Sequence, residues 1–232
     1  MRWIITISIA MYLTGTATLH AQFKPEAPRN IPHYDNVFWQ WGYYFGMTFF
    51  DFKTRYSTPR QEISVYGEPG FNVGLISDFK LSRMFSFRIE PGLYFTERKL
   101  IFNYINDEYD SVRRVSSNYL FLPMLFKLNA IRNGNIRPYI VGGMIFSHNL
   151  SSFHNSINDN SGGRFRMKQQ AWHWTVGVGL EMYMYYFKFT PSIRGVFSLT
   201  NEFVPDTDPE SPWTKNLEFV GTRGVYITLT FE

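Results

Sequence analysis

The chain has no cysteine among its 232 residues, which excludes disulfide staples, thiolate metal centres and a lipid-modified N-terminal cysteine. It also lacks any run of the roughly 20 apolar residues that a membrane-spanning helix needs. The strongest candidate, NYLFLPMLFKLN over 118–129, is about half that length and contains Pro123, which would break a helix interior. Charge is sparse, at 18% of residues, and the basic side chains are scattered rather than clustered. A net charge of +4 spread in this way leaves no electrostatic footprint for nucleic acid, and none is expected as a partner.

Chemistry-bearing patterns are equally scarce. No glycine-rich phosphate loop opens a helix. His33, His154 and His173 lack metal-ligand spacing, so neither metal nor cofactor is expected. Ser147 and His148 are adjacent and would point to opposite faces of a strand, so they cannot act together as nucleophile and base. A serine on another strand remains open to His148. The expectation is a non-enzyme with no small-molecule substrate.

What the sequence does hold is aromatic: 23 Phe, 15 Tyr and 6 Trp, in a background rich in strand-favouring residues. Residues 1–21 have one early cation, a short apolar core and small residues ending at Ala21, the pattern of a secretory signal peptide. Residues 22–38 carry three prolines and read as an extended periplasmic lead-in.

From residue 39 to 232 the chain alternates. Eight segments are expected to be strands, near 40–53, 71–79, 85–101, 117–128, 136–148, 169–182, 186–200 and 222–232. Leu120, Leu122, Met124 and Phe126 share one face; Trp172 and Trp174 lead another. Val225, Ile227, Leu229 and Phe231 form a third apolar row. The opposite faces hold Arg88, Glu90, Arg98, Lys127, Glu181, Lys188 and Arg194 among tyrosines, threonines and glycines. Short connections alternate with long polar ones, and the strand count is even. That is the pattern of a transmembrane antiparallel up-and-down β-barrel, with short turns in the periplasm and long loops outside. In hydrocarbon an unpaired backbone group costs several kcal/mol, so the last strand must meet the first. An eight-stranded barrel has room only for side chains, and the inward charges are therefore expected to form a paired structural network. A midplane Arg or Lys on the lipid face would cost about 2–4 kcal/mol, which sets the direction of the two faces. Pro91, Pro123, Pro138 and Pro191 each remove a ladder donor and are expected at strand ends or bulges.

GFNVGLISDFKLSRMFSFRIEPGLYF, NYLFLPMLFKLN and RPYIVGGM together resemble the porin-like outer-membrane β-barrel superfamily. More narrowly, RNIPHYDN followed by WGYYFGMTFFDFK is similar to the start of mature PorT proteins, components of the type IX secretion system. That resemblance implies an integral outer-membrane accessory component in the export of cargo bearing a C-terminal sorting domain. Its partners would be outer-membrane lipid and other type IX components, and the motif carries no catalytic residue. Many such barrels end on an aromatic residue, whereas this chain ends Phe231-Glu232. The alternative is a generic OmpX-like barrel with adhesive or ligand-binding loops.

Overall fold

The structure is a computed structural model that describes residues 29–57, 63–103, 111–151, 166–206, 211 and 213–232. The signal-peptide segment 1–21 and the first part of the lead-in, 22–28, lie outside the described residues. The strands are β1 (Trp39–Tyr56), β2 (Ile63–Gly67), β3 (Pro69–Lys80), β4 (Phe85–Ile89) and β5 (Gly92–Phe102). They continue with β6 (Val112–Asn129), β7 (Ile136–Asn149), β8 (Gln170–Tyr183), β9 (Lys188–Ser198) and β10 (Leu217–Phe231). All pair antiparallel in one sheet of ten strands. β1 pairs with β10 on one side and β3 on the other, so the sheet closes.

Ten strands replace the expected eight because the segment expected near 85–101 is broken into β4 and β5, and a short strand not expected, β2, precedes β3. β2 and β3 lie end to end, separated at Glu68 by a one-residue slip: Ile63 faces Phe102, while Phe71 faces Phe95. β4 and β5 are separated at Glu90–Pro91 with no slip, since Ile89 faces Met124 and Gly92 faces Phe121. The second break has a simple cause. Glu90 N–H donates to the Pro123 carbonyl at 3.2 Å, but Pro123 has no N–H to return the bond. On the other flank Leu75 N–H donates to the Pro91 carbonyl at 2.9 Å, and Pro91 cannot reciprocate. Two missing donors at neighbouring positions interrupt the ladder. Pro123 therefore sits mid-strand, opposite the break, rather than at the expected strand end or bulge.

Alternation sets the two faces. Leu120, Leu122, Phe126, Trp172, Trp174, Val225 and Ile227 are exposed on the outside, and Met124, Leu229 and Phe231 are half-buried among neighbours. Phe231 stacks with Tyr43 and Phe45, tying the β1–β10 seam with aromatic contacts. Together these rows make an apolar belt around the outside of the barrel. Leu122→Arg is expected to reduce membrane assembly, at a cost of about 2–4 kcal/mol, and to lose heat-modifiable gel mobility.

The strands run further outward than the sequence reading placed them, and in these extensions the two faces exchange character. Phe52, Leu100, Phe102, Val115 and Leu217 now point inward, into an apolar cluster with Ile63, Met167, Phe203 and Val220. The outward positions carry charge, as in Glu97 with Arg114 at 3.9 Å and Asp51 with Arg223 at 3.2 Å. This stretch is built like a soluble protein, core inside and ions outside, because it rises past the hydrocarbon into water.

Candidate functional site: the lumen and its periplasmic mouth

The lumen is layered. At the end bearing the short turns, Asp78, Arg88, Glu90, Lys127, Glu181, Lys188, Arg194 and Glu232 are all buried. Arg88 donates through Nε and Nη2 to Asp78 at 2.7 and 2.5 Å, and through Nη2 to Glu232 at 2.9 Å. Lys127 bridges Asp78 and Glu181. Lys188 contacts Glu181 at 3.4 Å and Glu232 at 2.5 Å. Arg194 holds Glu90 with both terminal nitrogens, a fork-to-fork geometry that fixes orientation as well as charge. Buried ions are tolerated when paired, and every charge of this lattice has an opposite partner, drawn from β3, β4, β6, β8 and β9, from Glu90 in the β4–β5 break and from Glu232 just past β10.

Of the seven charged residues expected to face the lumen, six join this lattice. The seventh, Arg98, does not. It lies eight residues beyond Glu90 in the chain, roughly 27 Å at the rise of a strand, and no carboxylate is within ion-pair distance of it among the described residues. The seven held five cations against two acids, a surplus that itself implied missing carboxylates. Asp78 and Glu232 supply them.

Above the lattice an aromatic layer fills the barrel. Tyr44, Phe50, Tyr94, Phe121 and Tyr226 pack in stacked and edge-on pairs. The Tyr44 hydroxyl reaches Tyr94 at 3.4 Å across a gap kept open by Gly92, where a Cβ would fall 2.0 Å from that oxygen. Higher still, Ser147 Oγ meets His173 Nε2 at 2.8 Å, and His173 Nδ1 lies 3.7 Å from Glu202. Ser147 thus pairs with His173 across the sheet, while His148 faces outward and contacts Gln169. Ser147 also donates to the Ala171 carbonyl, and the Glu202 carboxylate accepts from the Thr222 amide and hydroxyl, both at 2.7 Å. Ser147 and Glu202 thus each bond backbone of a neighbouring segment, while His173 Nδ1 has no hydrogen-bond partner.

The mouth at the short-turn end is crossed by the lead-in. Its described part is not extended throughout: Pro32–Asn36 forms a 3-10 turn preceded by Ile31 in the left-handed region at φ 48°. A β-branched residue there is strained, and it persists because both sides are clamped. Asn30 donates its amide to Asn135 Oδ1 and its side chain to the Tyr183 carbonyl. Asp35 is gripped by Arg132 and Arg137, the former also bonded to the Asn30 carbonyl and stacked 3.7 Å over Tyr183. Lys80 donates to the Asp35 carbonyl from a third direction. Each anchor comes from the ends of β3, β7 and β8 or the turn before β7, so the lead-in is laced across the opening. A lead-in with no pattern of its own gave no sign of this, since its partners lie some hundred residues away.

A family model for the outer membrane protein β-barrel domain matches residues 21–204. The chain belongs to that family. Among solved structures, the barrel is similar to the outer membrane protein OprG of Pseudomonas aeruginosa, with 12% identity and a TM-score of 0.43, covering 82% of this chain and 93% of that one. It is also similar to the N-terminal β-barrel domain of OprF from the same organism, with 17% identity, a TM-score of 0.35, and 82% and 99% coverage. No curated protein matches the chain. As a member of this family it is an integral protein of the outer membrane.

Proposed function

We propose that this barrel is a non-catalytic accessory component of type IX secretion, needed for export or maturation of cargo with a C-terminal sorting domain. What supports the reading is the lead-in. The segment RNIPHYDN, through which the chain is similar to PorT proteins, is also the segment whose Asn30 and Asp35 are laced over the periplasmic mouth. A lumen packed with paired ions and aromatic rings suits a partner of the export machinery better than its conduit, since an eight-position barrel has no room for a passing polypeptide. Other secretion components and outer-membrane lipid are the partners this implies.

Deleting the gene is expected to leave sorting-domain cargo unprocessed and cell-retained; normal export would remove this function. Asp35→Ala sharpens the test. Loss of the carboxylate leaves Arg132 and Arg137 facing each other, so the lead-in should become protease-sensitive while the barrel keeps its heat-modifiable mobility. Cargo export should fall with it. The second reading, a general surface barrel whose outer loops bind ligands, draws on the family match, which carries no secretion content of its own. It requires that Asp35→Ala leave export untouched.

A further inference from the structure

Arg98 is the one lumen-facing cation of the predicted set that the charge lattice leaves out. Its guanidinium is fully buried. It stacks 4.2 Å over the Phe52 ring, lies within 5.9 Å of Phe50 and 5.7 Å of Tyr119, and donates Nη1 to the Tyr119 hydroxyl at 3.2 Å. Its Nε and Nη2 have no acceptor. Rings stabilise a guanidinium through its faces, whereas these N–H groups point along its plane and so remain unanswered. Arg98 lies between two buried clusters: Tyr94 and Phe121 belong to the aromatic layer, Leu100, Phe102 and Val115 to the outer apolar cluster. Close by in the strand register, Asn149 faces Tyr119, and its Nδ2 is a second buried donor without a partner. Buried Ser117, paired in register with Thr96, has an unpartnered hydroxyl as well. A buried cation with free in-plane donors, unpaired donor groups nearby and no carboxylate among the described residues within 4 Å is short of acceptors, and an anion would answer both its charge and its N–H groups.

We propose that the unpartnered edge of Arg98, its Nε and Nη2, is a binding site for a compact inorganic anion of the halide class. Size follows from the crowding: the rings of Phe50, Phe52 and Tyr119 all lie within 5.9 Å of the guanidinium, which favours a small ion over a substituted carboxylate or a lipid headgroup. Charge follows from Arg98, and position from its Nε and Nη2. The ion would be taken up as the barrel folds, since the guanidinium is fully buried afterwards. This site is independent of the secretion reading, which rests on the opposite end of the barrel.

The test uses the mature full-length protein, unfolded in urea and refolded into detergent in sodium chloride, sodium bromide or sodium gluconate at equal ionic strength. The halide-refolded protein is expected to melt about 3 °C or more above the gluconate-refolded one. Arg98→Met, isosteric in its stem and neutral, should show the same melting point in all three salts. Crystals of wild-type protein refolded in bromide should give an anomalous peak within hydrogen-bonding distance of Arg98 Nε or Nη2, a measurement that needs no variant. Equal melting of the wild type in all three salts, an equal halide shift in Arg98→Met, or bromide-refolded crystals without that peak would each overturn the assignment.

Discussion

Arg88→Met is expected to abolish accumulation of the folded barrel in the outer membrane. Arg88 touches Asp78, Glu90 and Glu232, each of which is buried. Removing the shared cation leaves these carboxylates facing one another in a medium that cannot solvate them. Breaking a buried ion pair from one side costs about 3–5 kcal/mol, a large fraction of the roughly 5–15 kcal/mol that stabilises an ordinary domain. The comparison is Arg114→Met, which removes a pair whose members are 71% and 42% exposed at 3.9 Å and should leave stability unchanged. Urea unfolding in detergent, followed by heat-modifiable gel mobility, reads both. If the two variants behave alike, the lattice contributes nothing beyond filling space.

Gly46→Val should be nearly as damaging, through sterics rather than charge. Gly46 lies on β1 at the closing seam, opposite Thr228 on β10 and Asn72 on β3. A Cβ there would fall 2.0 Å from the Ile227 carbonyl oxygen and 2.8 Å from Asn72 Oδ1, and backbone cannot give way by that amount without parting the strands. Opening the seam strands unpaired N–H and C=O groups in hydrocarbon, at several kcal/mol each. Gly142→Ala is the control, because a Cβ at Gly142 has no neighbour nearer than 3.5 Å. The expected result is loss of the compact, heat-modifiable species for Gly46→Val and its retention for Gly142→Ala.

The closed barrel and its two faces were legible in the sequence because strand alternation is a local signal, repeated in every segment. Leu122 outside and Lys127 inside follow from parity alone. The outer extensions were not legible, because past the membrane the apolar face moves inward. Val115 and Leu100 have the hydropathy of lipid-facing residues but line a core, and no change of period marks the crossing. The break at Pro91 was visible as a proline; that Pro123 sits across from it could be known only with the register in hand. Asp78 was missed because it lies alone in an otherwise apolar and glycine-rich segment, although the surplus of inward cations called for it. Pairings such as Ser147 with His173, or Asp35 with Arg137, join positions 26 and 102 residues apart, and no local pattern encodes them.

The rings of Tyr44, Phe50, Tyr94, Phe121 and Tyr226 span the bore between two polar regions. A stratum of interlocked arene groups is a poor conductor of both protons and hydrated salts. Purified protein in a planar bilayer is therefore expected to pass no measurable current through its bore.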